Sequence, residues 1–224
     1  MSRRRSLCLA VVFAACGLFS AHAGAQPALA SSELNCLWDG LGDAEQSSVN
    51  GSVRRLDDGL GQSPLTDGMT VRLQSRSHDI AAALTPEVMA SCGLADATDK
   101  MHRLAVAGLA FRAQVNQAKG ELAALEGEPD AVDEIFERLP DFRREELADW
   151  AWRGGEASDA ESSSAFWRAL GRARVNRTFA QRRIMAMGFL ARLGEYRAGT
   201  CLTLDSAGQT ACLDARYRAA PTRQ

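Results

Sequence analysis

Between Thr98 and Glu126 the inner positions Met101, Leu104, Gly108, Phe111, Val115, Ala118, Leu122 and Leu125 recur at spacings of 3, 4, 3, 4, 3, 4 and 3 residues. A sustained pattern of this kind is the seam of a long helix packed on another helix. Gly108 and Ala118 are small, so the partner can approach closely. A second stripe, Ala169, Ala173, Asn176, Ala180, Ile184, Met187, Ala191 and Gly194, runs through a stretch from about Asp159 to Ala198. Its small residues match those of the first, and the two are expected to lie side by side as a spine. About forty residues of continuous helix reach roughly 60 Å, whereas a compact chain of this length has a radius of gyration of about 16 Å. Either the molecule is elongated or this last helix bends, with Gly171 and Gly188 the best-placed points.

The remaining pattern predicts shorter helices. Residues 31–60 carry one or two around Trp38, Leu41, Val53 and Leu56, loosened by Gly40, Gly42, Gly51, Gly59 and Gly61. Pro64 to Gly68 reads as a loop, and Met69 to Leu84 as a helix with Met69, Leu73, Ile80 and Leu84 on one face. Pro86 opens a helix at the favoured first-turn position, ending near Cys92-Gly93. Gly127-Glu128-Pro129 breaks the long seam; helices follow from Asp130 to Leu139 and from Pro140 to Trp152, the latter closed by Arg153-Gly154-Gly155. Ser158 or Asp159 supplies the next cap. Strand-like alternation is nearly absent, Cys201-Leu202-Thr203-Leu204 before a turn-like Asp205–Gly208 being its clearest instance. The fold class expected is all-α: an elongated helical bundle with two long helices as spine and a small disulfide-closed C-terminal loop.

Composition changes the picture at the N-terminus. Arg3, Arg4 and Arg5 precede an apolar run from Leu7 to Phe19, which ends in small residues with Ala23-Gly24-Ala25. This is the pattern of a secretory signal peptide, and the run is shorter than the roughly 20 apolar residues of a membrane span. Cleavage is expected after Ala25, or after Ala23 if Ala21-His22-Ala23 is cut. Arg4-Arg5-Ser6-Leu7-Cys8 loosely resembles a twin-arginine signal but lacks its aromatic. Phe13-Ala14-Ala15-Cys16-Gly17 loosely resembles a lipoprotein processing site but has Phe13 where leucine is normal. Ordinary secretion is the favoured reading. It divides the chain into a leader at 1–25, a helical domain at 26–198 and a C-terminal appendage and tail at 199–224.

Two of the six cysteines, Cys8 and Cys16, leave with the leader. Cys36, Cys92, Cys201 and Cys212 remain, and an even number in an exported chain points to disulfides. Three pairings are possible; Cys36–Cys92 and Cys201–Cys212 each join neighbours within one region and are expected. Chain entropy gives about 4 kcal/mol for the first loop and about 3 kcal/mol for the second. No Cys-x-x-Cys occurs, and a zinc site is not expected.

Charge is the most uneven feature. Without the three leader arginines the chain holds 23 basic and 28 acidic residues, a net charge of −5, which gives no reason to expect nucleic acid. Residues 121–161 hold fourteen Asp or Glu and four Arg, whereas residues 162–197 hold eight Arg and one Glu. Nearby helices of opposite sign neutralise one another, and that is the plainer account. The functional account keeps part of the basic face open, with Arg168, Arg172, Arg182 and Arg183 facing an anionic partner, either an acidic protein or a phosphate-bearing envelope lipid.

Candidate chemistry is otherwise thin. His78-Asp79 are adjacent on a helix and so point apart; His102 lies beside the long seam. Glu145-Glu146 and Asp57-Asp58 are neighbours in sequence rather than carboxyls facing across a cleft. Trp150 and Trp152 are aimed to different sides of their helix, one inward and the other available as an anchor. No Gly-x-Ser-x-Gly, His-Glu-x-x-His or phosphate-cradling glycine loop is present, and no cofactor is expected. The sequence therefore points to an exported binding, scaffold or assembly factor. The alternatives are an envelope hydrolase using dispersed carboxylates such as Glu145 or Glu146, and a lipid or small-ligand carrier with a cavity lined by Phe111, Met187 and Phe189.

Overall fold

The computed structural model describes residues 32–52, 77–155, 159–171, 173 and 175–218. The expected leader with Ala25, the positions Val53, Leu56, Met69 and Leu73, the loop expected at 64–68, Ser158 and Arg172 lie outside them. The described residues form ten helices and no strand: α1 Ser32–Asp39, α2 Asp43–Ser52, α3 Ser77–Ala83, α4 Pro86–Ser91, α5 Asp99–Ala124, α6 Ala131–Glu137, α7 Asp141–Trp152, α8 Ala160–Leu170, α9 Phe179–Leu202 and α10 Ser206–Arg218.

The two long helices α5 and α9 are the spine, and small residues set how they meet. A methyl group added at Gly108 would fall 3.3 Å from Cβ of Ala198, and one at Gly188 would fall 2.7 Å from Cβ of Ala118. These two pairs fix an antiparallel register. Gly194 makes room for the Phe111 ring, whose nearest carbon would stand 2.5 Å from an added Cβ. The seam residues Leu104, Gly108, Phe111, Val115, Ala118 and Leu122 are buried, as are Ile184, Met187, Ala191 and Gly194 opposite. Buried apolar area of this kind is the main stabilising term. Around the spine, α1 places Leu34 over Gly108, and α8 stacks Phe166 on Phe189 of α9 at 5.2 Å between centroids.

Helix ends follow local chemistry. Thr98 caps α5 by accepting from the Met101 N–H. At the other end the Gly127 N–H reaches the Leu122 carbonyl at 2.8 Å, with Glu126 at φ 55° in the left-handed region between them. Thr85 caps α4 ahead of Pro86. Gly154 and Gly155, at φ 101° and 64°, turn the chain out of α7.

Three expectations change. The stretch from Asp159 to Ala198 is two helices. Asp159 caps α8 as expected, but α8 stops at Leu170, Asn176 adopts φ 61°, and Thr178 starts α9 afresh. The Thr178 hydroxyl accepts from the Gln181 N–H at 3.2 Å while Oε1 of Gln181 accepts from the Thr178 N–H at 2.9 Å, a reciprocal cap. Trp150 and Trp152 are both buried, because α7 is covered on two sides. Trp150 packs on Phe166 of α8, and Trp152 lies beside Phe111 of α5 and donates Nε1–H to the Cys212 carbonyl of α10 at 2.7 Å. Finally, the loop closed by Cys201–Cys212 is helical at both ends rather than alternating. α9 runs to Leu202, and Asp205 accepts from the Gly208 N–H at 2.8 Å to begin α10.

Candidate functional site

The cysteines pair as Cys36–Cys92 and Cys201–Cys212, with Cα separations of 5.6 and 6.2 Å. The first ties α1 to the end of α4; the second ties α9 to α10. Beside the second, Arg216 is buried with its guanidinium 4.8 Å from the Phe111 ring centroid and 4.7 Å from that of Trp152. Burial there holds the Arg216 guanidinium below its ordinary value.

The charge blocks sort the arginines into two groups. Glu195, 2% exposed, is gripped at both oxygens: Nε of Arg112 donates to Oε1 at 2.6 Å and Nη1 of Arg192 to Oε2 at 2.7 Å. Arg112 also donates to Oδ1 of Asn35 at 2.6 Å, Arg192 pairs with Asp133 at 3.2 Å, and Asp133 is bridged in turn by Lys119. This chain of charges crosses α1, α5, α9 and α6. Arg197 pairs with Asp149 at 3.0 Å, and Arg177 with Glu128. Arg177, Arg192 and Arg197 thus join the basic block to the acidic one.

The second group is Arg168 at the end of α8 with Arg182 and Arg183 near the start of α9. Arg182 and Arg183 are half-buried, and Arg168 is exposed on the last turn of α8. None of the three has a carboxylate partner among the described residues. Arg168 donates only to the Ser164 carbonyl of its own helix, at 3.4 Å. Nη2 of Arg183 is enclosed without a hydrogen-bond partner among the described residues. Three of the four arginines expected to face a partner are therefore described and have no carboxylate among the described residues; Arg172, the fourth, lies outside them. Phe179, missed by the sequence reading, precedes Arg182 and Arg183 by three and four residues on α9 and is 73% exposed.

The other candidates do not gather. His78 is exposed on α3, and His102 is half-buried in the first turn of α5. Glu146 pairs with Arg143 at 2.6 Å, while Glu145 is exposed. Burial, with the Glu145 charge second, raises the Tyr196 phenol above its usual value. Phe111, Met187 and Phe189 are buried, with Phe111 against Gly194, Trp152 and Arg216 and Phe189 against Phe166. Among the described residues no group of three His, Cys, Asp or Glu is placed to hold a metal ion, and no helix is long and apolar enough to cross a membrane. Compared with protein-family models, curated proteins and solved structures, the chain matches none of them.

Proposed function

We propose that this chain is an exported envelope protein that acts as a non-enzymatic binding, scaffold or assembly factor, meeting an anionic partner through its arginine face. The leader pattern and the two disulfides support export. The single observation that carries the binding reading is the division of the arginines. Those of the spine are paired with carboxylates, while among the described residues Arg168, Arg182 and Arg183 have none. The packing of Phe111, Met187 and Phe189 into their neighbours favours a filled core over a carrier's cavity.

Two experiments test this. Native mass spectrometry of the exported fraction is expected to show a chain beginning at Gln26 and four hydrogens light; a full-length chain with free thiols overturns the export reading. Soluble polyglutamate is expected to bind the mature protein at low salt and to be released as ionic strength rises. Reversal of Arg182→Glu with Arg183→Glu should abolish that binding, and unchanged binding in the double variant overturns the arginine face.

A further inference from the structure

We propose that the start of α9 is a docking site for an anionic lipid surface, with Phe179 as the side chain that enters the membrane interface. This rests on the arginine face above and names its partner. Phe179 and Val175 are 73% and 65% exposed, the most exposed of the large apolar side chains described, and four positions separate them. Helical spacing places Arg182 and Arg183 three and four residues beyond Phe179, on the same face one turn on. Phe179 heads the helix; Arg182 and Arg183 follow it half-buried, with Nη2 of Arg183 enclosed and without a hydrogen-bond partner among the described residues.

That order matches the layers of a lipid interface. An aromatic ring sits at the acyl boundary, while arginine stems lie along apolar surface and carry their heads to the phosphates. Guanidinium is also the cation that binds phosphate through two parallel hydrogen bonds. The attraction does not come from open backbone donors at the helix end, because Thr178 and Gln181 cap one another there. Nor is the charge in place for the helix's sake, since cations near a helix N-terminus are mildly unfavourable. An acidic protein is the poorer fit. A stable protein interface buries about 800 Å² on each partner, and two protruding apolar side chains at a helix start supply only a fraction of that. Lipid partition needs no such area, since each inserted side chain contributes separately.

The test is cosedimentation of the mature, disulfide-bonded protein with vesicles of phosphatidylglycerol in phosphatidylcholine, with phosphatidylcholine vesicles and soluble polyglutamate as the comparison arms. The protein is expected to sediment with the anionic vesicles only. Phe179→Ala should weaken that binding about tenfold or more, the effect of losing one buried aromatic side chain, and leave polyglutamate binding unchanged. The ring's exposure means that this variant keeps its fold, which unchanged thermal unfolding checks. Vesicle binding insensitive to Phe179→Ala overturns insertion. Binding to polyglutamate but not to vesicles overturns the lipid surface in favour of an acidic protein and leaves the arginine face standing. Binding to neither removes the arginine face as well.

Discussion

At one end of the spine the chain is tied by covalent bonds. Cys92, joined to Cys36, lies just ahead of the Thr98 cap of α5, and Cys201, joined to Cys212, closes α9 onto α10. Nζ of Lys100 reaches Oγ of Ser206 at 3.0 Å across the same end. At the opposite end, about 33 Å away along α9 at 1.5 Å per residue, no disulfide joins the described residues, and Phe179 is exposed while Arg182 and Arg183 are half-buried. Arginine serves both regions on one helix. Arg192 is locked between Asp133 and Glu195, whereas ten residues earlier Arg182 has no carboxylate among the described residues. Pairing marks the charges used for cohesion; those without a carboxylate among the described residues are the ones proposed to meet a partner.

The comparison can be broken most sharply at Glu195. Glu195→Ala strips a partner from two enclosed arginines and is expected to cost about 3–5 kcal/mol, read as a lowered midpoint in urea; a loss below 1 kcal/mol would mean that the charge chain does not hold the spine. Next comes Gly194→Leu, which drives a side chain into the Phe111 ring and should cost about 3 kcal/mol. Its control, Gly120→Ala on open α5 surface, should instead stabilise by about 0.8 kcal/mol. At the arginine end the sign reverses. Arg182→Glu puts negative charge near the N-terminus of α9 and should raise stability by about 0.3–1 kcal/mol while weakening anion binding. A clear loss of stability would place Arg182 with Arg192. The smallest effect concerns Asp159, whose carboxyl is held below its usual range by the Ser162 N–H and then by the Ser162 hydroxyl. The cap's full contribution is therefore present above the ordinary value of 3.8 and fades as pH falls through the lowered one. Asp159→Asn, which keeps the cap without the charge, should flatten that part of an acid unfolding curve.

The spine, its small-residue join and most helix starts were legible because each rests on spacing or on a nearby capping residue. The break between α8 and α9 was not seen, since Ala173, Asn176 and Ala180 continue the helical period straight across it. Thr178-Phe179-Ala180-Gln181 carried the contrary signal, a cap followed by its glutamine partner. Alternation in Cys201–Leu204 likewise hid the Asp205 cap of α10. The grip on Glu195 needed the antiparallel register, which no local pattern contains. Once Gly108 faces Ala198, Arg112 necessarily falls near Glu195. The arginines without a carboxylate among the described residues were picked out by block charge, but Phe179 was not, because a lone aromatic at the head of a helix looks like core in sequence.

Gln181 has a consequence for which sequences this position admits. Its oxygen accepts from the Thr178 N–H and its nitrogen donates to the Leu125 carbonyl, each at 2.9 Å. One planar amide thus starts one long helix and finishes the other, and its two ends are not interchangeable. Glutamate, the usual alternative in such a cap, keeps the first bond and loses the second. Exchanging a single NH2 group for oxygen sets carboxylate against carbonyl at the join of the two helices.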